Sequence, residues 1–288
     1  MTRRGAILAL WAACLIWGAA FPLTKLALRD ASPMAFTATR FLVASLLLLP
    51  ALGSIRAPEW RAGTLLGVLL ALGFATQTIG LGFTTPSRSG FLTSLYIPFT
   101  PLIVVLLHRA RPDRDALTGL AVAMGGMVLL TRPDTGTGLN RGDMLTVACA
   151  LAFAAHLVAT GAAARRYPVD RLMMAQIVVA AACTTLLTPL LETPRLHWTP
   201  LLTGMVAYEA LLASLVAIRL QLTAQQVLAP TYAALVFSLE PLIAAGTSML
   251  LTGDRLRPGQ WAGGGLIILG CLWPELRSRF RSRVVTRS

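Results

Sequence analysis

Ten apolar runs, each close to the length that crosses a bilayer, decide what this chain can fold into. They lie near 5–25, 33–52, 62–82, 87–107, 115–131, 142–163, 171–191, 200–220, 229–251 and 257–274. A hydrocarbon core about 30 Å thick takes about 20 apolar residues per helix, so these runs leave almost nothing for a soluble domain. A composition 56% hydrophobic and only 13% charged agrees. The runs are continuous and rich in Leu, Ala and Gly rather than alternating, which excludes a membrane β-barrel and leaves helices. The expected fold class is all-α: a polytopic protein whose constant partner is the lipid bilayer of a plasma membrane, the inner membrane in a bacterium.

The first run follows Arg3 and Arg4 and has Ala19 and Ala20 near its end, as a signal peptide would. Its length and the nine runs behind it predict an uncleaved first span instead. The net charge of +13 would suggest nucleic acid in a soluble chain, but no compact basic domain exists here, and nucleic acid is not an expected partner. The arginines sit between the spans. Sixteen of the 25 basic residues, among them Arg3, Arg4, Arg109, Arg111, Arg277 and Arg279, fall on the side of the N-terminus, and eight fall on the other. The positive-inside bias then places both termini in the cytoplasm. Cys14, Cys149, Cys183 and Cys271 all lie in apolar runs without metal-ligand or redox spacing, and neither metal nor cofactor is expected.

Residues 132–141, RPDTGTGLNR, form the strongest turn-like stretch and divide the chain into halves at 5–131 and 142–275. The halves resemble each other at an offset of 144. Gln77 aligns with Gln221, Pro86 with Pro230, Ser94-Leu95 with Ser238-Leu239, Gly119 with Gly263, Gly126 with Gly270, and Tyr96 with Glu240. Each half holds five spans, an odd number, so the second enters the membrane with opposite orientation. Inverted repeats of this kind place substrate sites near the midplane on interrupted helices. Pro98 and Pro101 predict a broken fourth span, and Pro241 marks the corresponding place in the ninth.

Glu240 lies in the middle of the ninth run and Glu209 in the middle of the eighth, each about 15 Å deep at 1.5 Å per residue. Intramembrane acids are costly and need a partner, a proton or a wet cavity. If the two share one cavity, the site can take up or release a proton. The bland alternative for each is a neutral acid bonded to a neighbouring helix. Arg40, about 10 Å into the second run, reads either as a cavity-lining cation or as a side chain snorkelling back to the headgroups. His156 reads as a proton relay or a packed ring. Gln77, Gln176 and Gln221 would orient a polar substrate or tie helices together, and Trp17, Tyr96 and Tyr232 would line a cavity or fill the packing. Ala233, Val236, Glu240, Ala244 and Thr247 form one small and polar stripe along the ninth run. Gly263-Gly264-Gly265 lacks the Lys and Ser/Thr of a phosphate loop and reads as helix packing.

Trp17-Gly18 with Phe21-Pro22, Arg40-Phe41, Leu239-Glu240-Pro241, and Gly263 with Leu266-Ile267 and Gly270 stand in an order and spacing that resembles the EamA-type transporters of the drug/metabolite transporter superfamily. The resemblance covers about residues 5–275. It implies ten helices in two inverted five-helix repeats around a central cavity, and movement of small metabolites, often outward. Two corners depart from the family pattern: Gly253-Asp254-Arg255-Leu256 has Asp where Glu is common, and His108-Arg109-Ala110-Arg111 has no acid at that place.

The expected activity is secondary transport of a small molecule, and proton coupling is an option that the two acids open. A facilitative, channel-like pore is the alternative. A membrane-embedded enzyme is disfavoured, because the three histidines form no HExxH, and neither Gly-x-Ser-x-Gly nor a carboxylate cluster is present. A homodimer is compatible with the sequence. The charge distribution predicts that a reporter fused after Ser288 reports the cytoplasm and one inserted at 132–141 the outside. The opposite result overturns the orientation.

Overall fold

The computed structural model describes residues 1–83, 86–108, 113–131, 140–252 and 257–285. Most of the turn at 132–141 and the corners at 109–111 and 253–256 lie outside the described residues. The chain forms α1 (Arg3–Ala27), α2 (Pro33–Leu48), α3 (Ala57–Leu81), α4 (Pro86–Thr93), α5 (Tyr96–His108), α6 (Arg114–Thr131), α7 (Arg141–Ala164) and α8 (Val169–Leu191). It continues through α9 (Pro200–Ala207), a π-helical stretch (Tyr208–Val216), α10 (Ala217–Gln225), α11 (Pro230–Phe237), α12 (Glu240–Thr252) and α13 (Pro258–Val285). The described residues hold no named strand, only an isolated bridge between Ala31 and Leu196.

Among the described residues seven helical segments are long and apolar enough to cross a membrane, and α2 is a shorter apolar helix. Large apolar side chains point away from the protein, Leu190 being 78% and Leu250 89% exposed, as lipid-facing residues must. The interior is filled largely by small and medium residues such as Ala13, Ala123, Ala154, Ala217 and Ala233, which let helices approach. Helix starts follow local chemistry. Pro33, Pro86, Pro200, Pro230 and Pro258 open their helices, where a missing N–H costs nothing. Asn140 and Asp143 cap α7 reciprocally at 2.9 Å in both directions.

The fourth and ninth spans are broken as expected, but the prolines act differently from the simple expectation. The breaks fall at Ser94-Leu95 and Ser238-Leu239, ahead of Pro98, Pro101 and Pro241. Pro98 and Pro241 sit instead in the first turns of α5 and α12, where they initiate rather than interrupt. Side-chain donors gather on the carbonyls beside each break. Ser94 Oγ donates to Gly90 O (2.8 Å), Ser238 Oγ to Leu235 O (2.7 Å), Cys271 Sγ to Leu235 O (3.0 Å) and Cys14 Sγ to Val236 O (3.4 Å). Two of the cysteines thus serve the broken helix. The break also divides the stripe read along the ninth run, so Ala233 and Val236 belong to one helix and Glu240, Ala244 and Thr247 to another.

The last helices of the two halves, α6 and α13, run antiparallel and touch backbone to backbone. A Cβ on Gly119 would lie 2.4 Å from Gly270 O and one on Gly126 2.5 Å from Gly263 O, and the reverse pairs give the same distances. Pro274 lacks the N–H that would bond Gly270 O in a helix, and Gly119 closes on that carbonyl. Of the three consecutive glycines Gly263 makes this contact, Gly264 meets Leu242 and Gly265 faces open space. Gly126→Ala or Gly263→Ala should therefore force the helices apart and cost roughly 1–3 kcal/mol. Gly125→Ala and Gly265→Ala, with nothing within 4 Å, should be neutral or slightly stabilising. Thermal unfolding of the purified variants measures the difference, and equal midpoints for the two sets would overturn the contact.

Candidate functional site

A cavity of about 680 Å³ lies between the halves. Its walls are Trp17, Phe21 and Thr24 of α1, Arg40 of α2, Phe74 and Gln77 of α3, Phe153 and His156 of α7, Glu209 and Ala213 of the π-helical stretch, and Gln221 of α10. The two broken helices complete it with Thr93, Ser94 and Tyr96 on one side and Phe237, Glu240 and Pro241 on the other. Lys25 and Arg29 line the end where α1 terminates. Toward the N-terminal end of α1 the packing closes: the Arg3 guanidinium lies 5.4 Å from the centroid of the Tyr232 ring, and Arg165 donates to Leu228 O.

Glu240 opens α12, the first residue after the break, and its side chain is only partly buried. Tyr96, the first residue of α5 after the other break, donates its phenolic O–H to Glu240 Oε2 at 3.3 Å. These are the residues that align at the 144-residue offset. No ion pair to Glu240 is found among the described residues, so its carboxyl meets a phenol, a thiol-lined break and the cavity.

Glu209 stands in a different environment. Its Oε2 lies 2.7 Å from Arg40 Nη1 with both side chains sealed, and its Oε1 accepts from Thr24 Oγ1 at 2.8 Å. Arg40 therefore does not snorkel to the headgroups: a carboxylate within the membrane answers its charge, and the guanidinium carbon packs 4.3 Å from the Phe74 ring centroid and 4.8 Å from that of Phe41. Glu209 and Glu240 do line one cavity, but Glu209 is already paired.

The expected regular helix around Glu209 is instead the wide π-helical turn, whose displaced carbonyls need other donors. Ser214 Oγ donates to Glu209 O (2.8 Å), Trp17 Nε1 to Ala213 O (2.9 Å), and Arg40 Nε to Ser214 Oγ (3.3 Å). Tyr208 in turn donates to Ile16 O (2.9 Å). Trp17 is thus a strut as well as a wall.

The other polar candidates divide. Gln77 donates to Thr93 Oγ1 (3.4 Å) and Gln221 to Gln225 Oε1 (3.1 Å), and both line the cavity. His156 lines it too, with Nε2 2.9 Å from Gln176 Oε1. Gln176 is fully buried behind that ring, and neither it nor Tyr232 is part of the cavity wall. Thr24, Ser214 and Phe74 are parts of the site that the sequence reading missed. Thr24 and Ser214 carry no distinguishing signal, whereas Phe74 lies three residues before Gln77 on the same helix.

The profile of the EamA-like transporter family matches residues 4–132 and again 140–273. The chain belongs to the EamA-like transporter family. This EamA-like transporter is accordingly an integral membrane transporter of the drug/metabolite transporter superfamily. It is 32% identical over 267 residues to an uncharacterized transporter of Archaeoglobus fulgidus, covering 91% of this chain and 83% of that protein. It is 28% identical over 273 residues to the uncharacterized transporter YwfM of Bacillus subtilis, covering 90% of each. It is 24% identical over 268 residues to the uncharacterized inner membrane transporter YedA of Escherichia coli, covering 90% and 87%. A solved crystal structure superposes with a TM-score of 0.81 over 96% of this chain and 98% of its own at 19% identity, a likeness of fold.

For this EamA-like transporter the Arg40–Glu209 pair predicts a non-additive pattern of stability. Arg40→Met or Glu209→Leu alone leaves a buried charge unanswered and should cost on the order of 3–5 kcal/mol, whereas the double variant should lose much less. Thermal unfolding in detergent of the parent, both single variants and the double variant reads the cycle. Additive losses would show that the two side chains are not coupled.

Proposed function

We propose that this EamA-like transporter is a secondary carrier that exports a small organic metabolite or drug through the central cavity, coupled to protonation of Glu240. The observation that carries the reading is the meeting of Tyr96 and Glu240 at 3.3 Å in the cavity wall, each at the first residue after a helix break. A carboxyl that reaches a cavity with no cationic partner among the described residues is suited to exchange a proton with its contents.

In this reading the chain crosses the membrane ten times, as inverted repeats at 5–131 and 142–275 with both termini in the cytoplasm. Three observations support it. The breaks and ends of α4 and α5 recur in α11 and α12 at matching positions, Pro86–Thr93 with Pro230–Phe237 and Tyr96–His108 with Glu240–Thr252. The reciprocal glycine contacts of α6 and α13 are those of two elements related by a two-fold axis. The surplus of arginine on the N-terminal side supports the orientation. With that orientation Lys25 and Arg29 rim an outward-facing cavity, and the packing around Arg3 and Tyr232 closes the inward path. A cavity closed at one end favours a carrier over a pore. Trp17, Phe74, Gln77, Thr93 and Gln221 are the proposed substrate walls, with Arg40 and Glu209 holding them in place.

Cells overproducing the protein, challenged with toxic amino acids, amines and drugs, identify a substrate, which purified protein in liposomes then tests. Saturable flux with counterflow is expected of the carrier, and flux without saturation would favour the pore. Glu240→Gln keeps the shape of the protonated acid and removes its titration. The variant should insert and fold but lose the pH dependence of transport. Transport by Glu240→Gln at the parent rate with the parent pH profile would make the carboxyl structural.

A further inference from the structure

We propose that residues 275–285 form an amphipathic foot that lies on the membrane surface and binds anionic phospholipid headgroups. The apolar run of the last span ends near 274, yet α13 continues unbroken in secondary structure to Val285, about 16 Å further at 1.5 Å per residue. Pro274 lies at the junction. A proline inside a helix removes one backbone bond and is where its direction changes most readily.

The helical register of the extension is that of an interfacial helix. At about 100° per residue, positions Leu276, Phe280 and Val284 fall along one line of the helix. Arg277 and Arg281 fall on one flank of that line and Arg279 and Arg283 on the other, while Glu275, Ser278 and Ser282 fall opposite. A narrow apolar line between two rows of arginine is suited to the boundary where acyl chains meet phosphates. A helix projecting straight into water would leave the apolar line exposed.

The surroundings agree in position and charge. Arg277 lies 3.8 Å from Asp115 at the start of α6, and its guanidinium lies 5.6 Å from the Trp273 ring centroid, so the foot begins at the edge of the helix bundle. This is the same end of the molecule as Arg3, since Gln260 at the opposite end of α13 donates to Leu130 O and lines the cavity with Lys25. Four arginines against Glu275 give the segment a charge complementary to a leaflet rich in anionic lipid, which adjoins it wherever the span emerges.

Hydrogen exchange of the full-length protein in nanodiscs tests the proposal. In phosphatidylglycerol discs the amides of 276–285 should exchange at least about tenfold more slowly than in phosphatidylcholine discs. Raising salt to about 0.5 M should abolish the difference, as should the triple variant R279Q/R281Q/R283Q, with the amides of α3 and α7 unchanged in every case. Equal exchange in the two lipids would overturn the proposal. So would protection that is insensitive to salt and to the triple variant, because the segment would then be held by protein packing.

Discussion

In a bilayer every backbone N–H and C=O must find its partner within the protein, and the arrangement of this transporter follows from how it meets that demand where its helices are irregular. Each of the two helix breaks and the π-helical stretch releases carbonyls at membrane depth. Ser238, Cys14 and Cys271 take those at the second break, and Trp17 and Ser214 take those of the wide turn. Irregular backbone is therefore concentrated around the cavity, where surrounding helices supply donors. The regular helices α3, α7 and α8 pack closely through glycine and alanine, as where Gly63 meets Ala175.

The two intramembrane acids show how environment separates residues that lie at similar depth in neighbouring runs. Glu209 has a guanidinium and a hydroxyl on its carboxylate, and its strong pairing ties α1 and α2 of the first half to the π-helical stretch of the second. Glu240 has a phenol and open space. A buried pair of opposite charges is a mechanical joint that is costly to break, whereas an acid facing a cavity can change its charge with little rearrangement. Removing Glu209 should thus be felt in assembly.

Much of this was legible from residue order. Apolar run length shows the helical membrane protein, the prolines of the fourth and ninth runs mark both as interrupted, and the alignment of Tyr96 with Glu240 names two groups that prove to touch. The partner of Arg40 was not legible, because Glu209 is 169 residues away and nothing local distinguishes a snorkelling arginine from a paired one. The π-helical stretch YEALLASLV has neither proline nor glycine. Its cause is tertiary, a set of donors contributed by α1 and α2, so local pattern could not reveal it. Tyr232 looked like a cavity aromatic by its place in a polar-faced helix, yet its ring packs beneath Arg3 because α11 lies on the closed side of the break.

The meeting of Tyr96 with Glu240 also bears on the symmetry of the two broken helices. Were both matched positions acids, two like charges would face each other across a few ångströms and at least one would stay neutral. A phenol opposite a single carboxyl instead places one acid there, hydrogen-bonded rather than facing its like. The two broken helices, matched in their bounds, are thus chemically unequal where they touch.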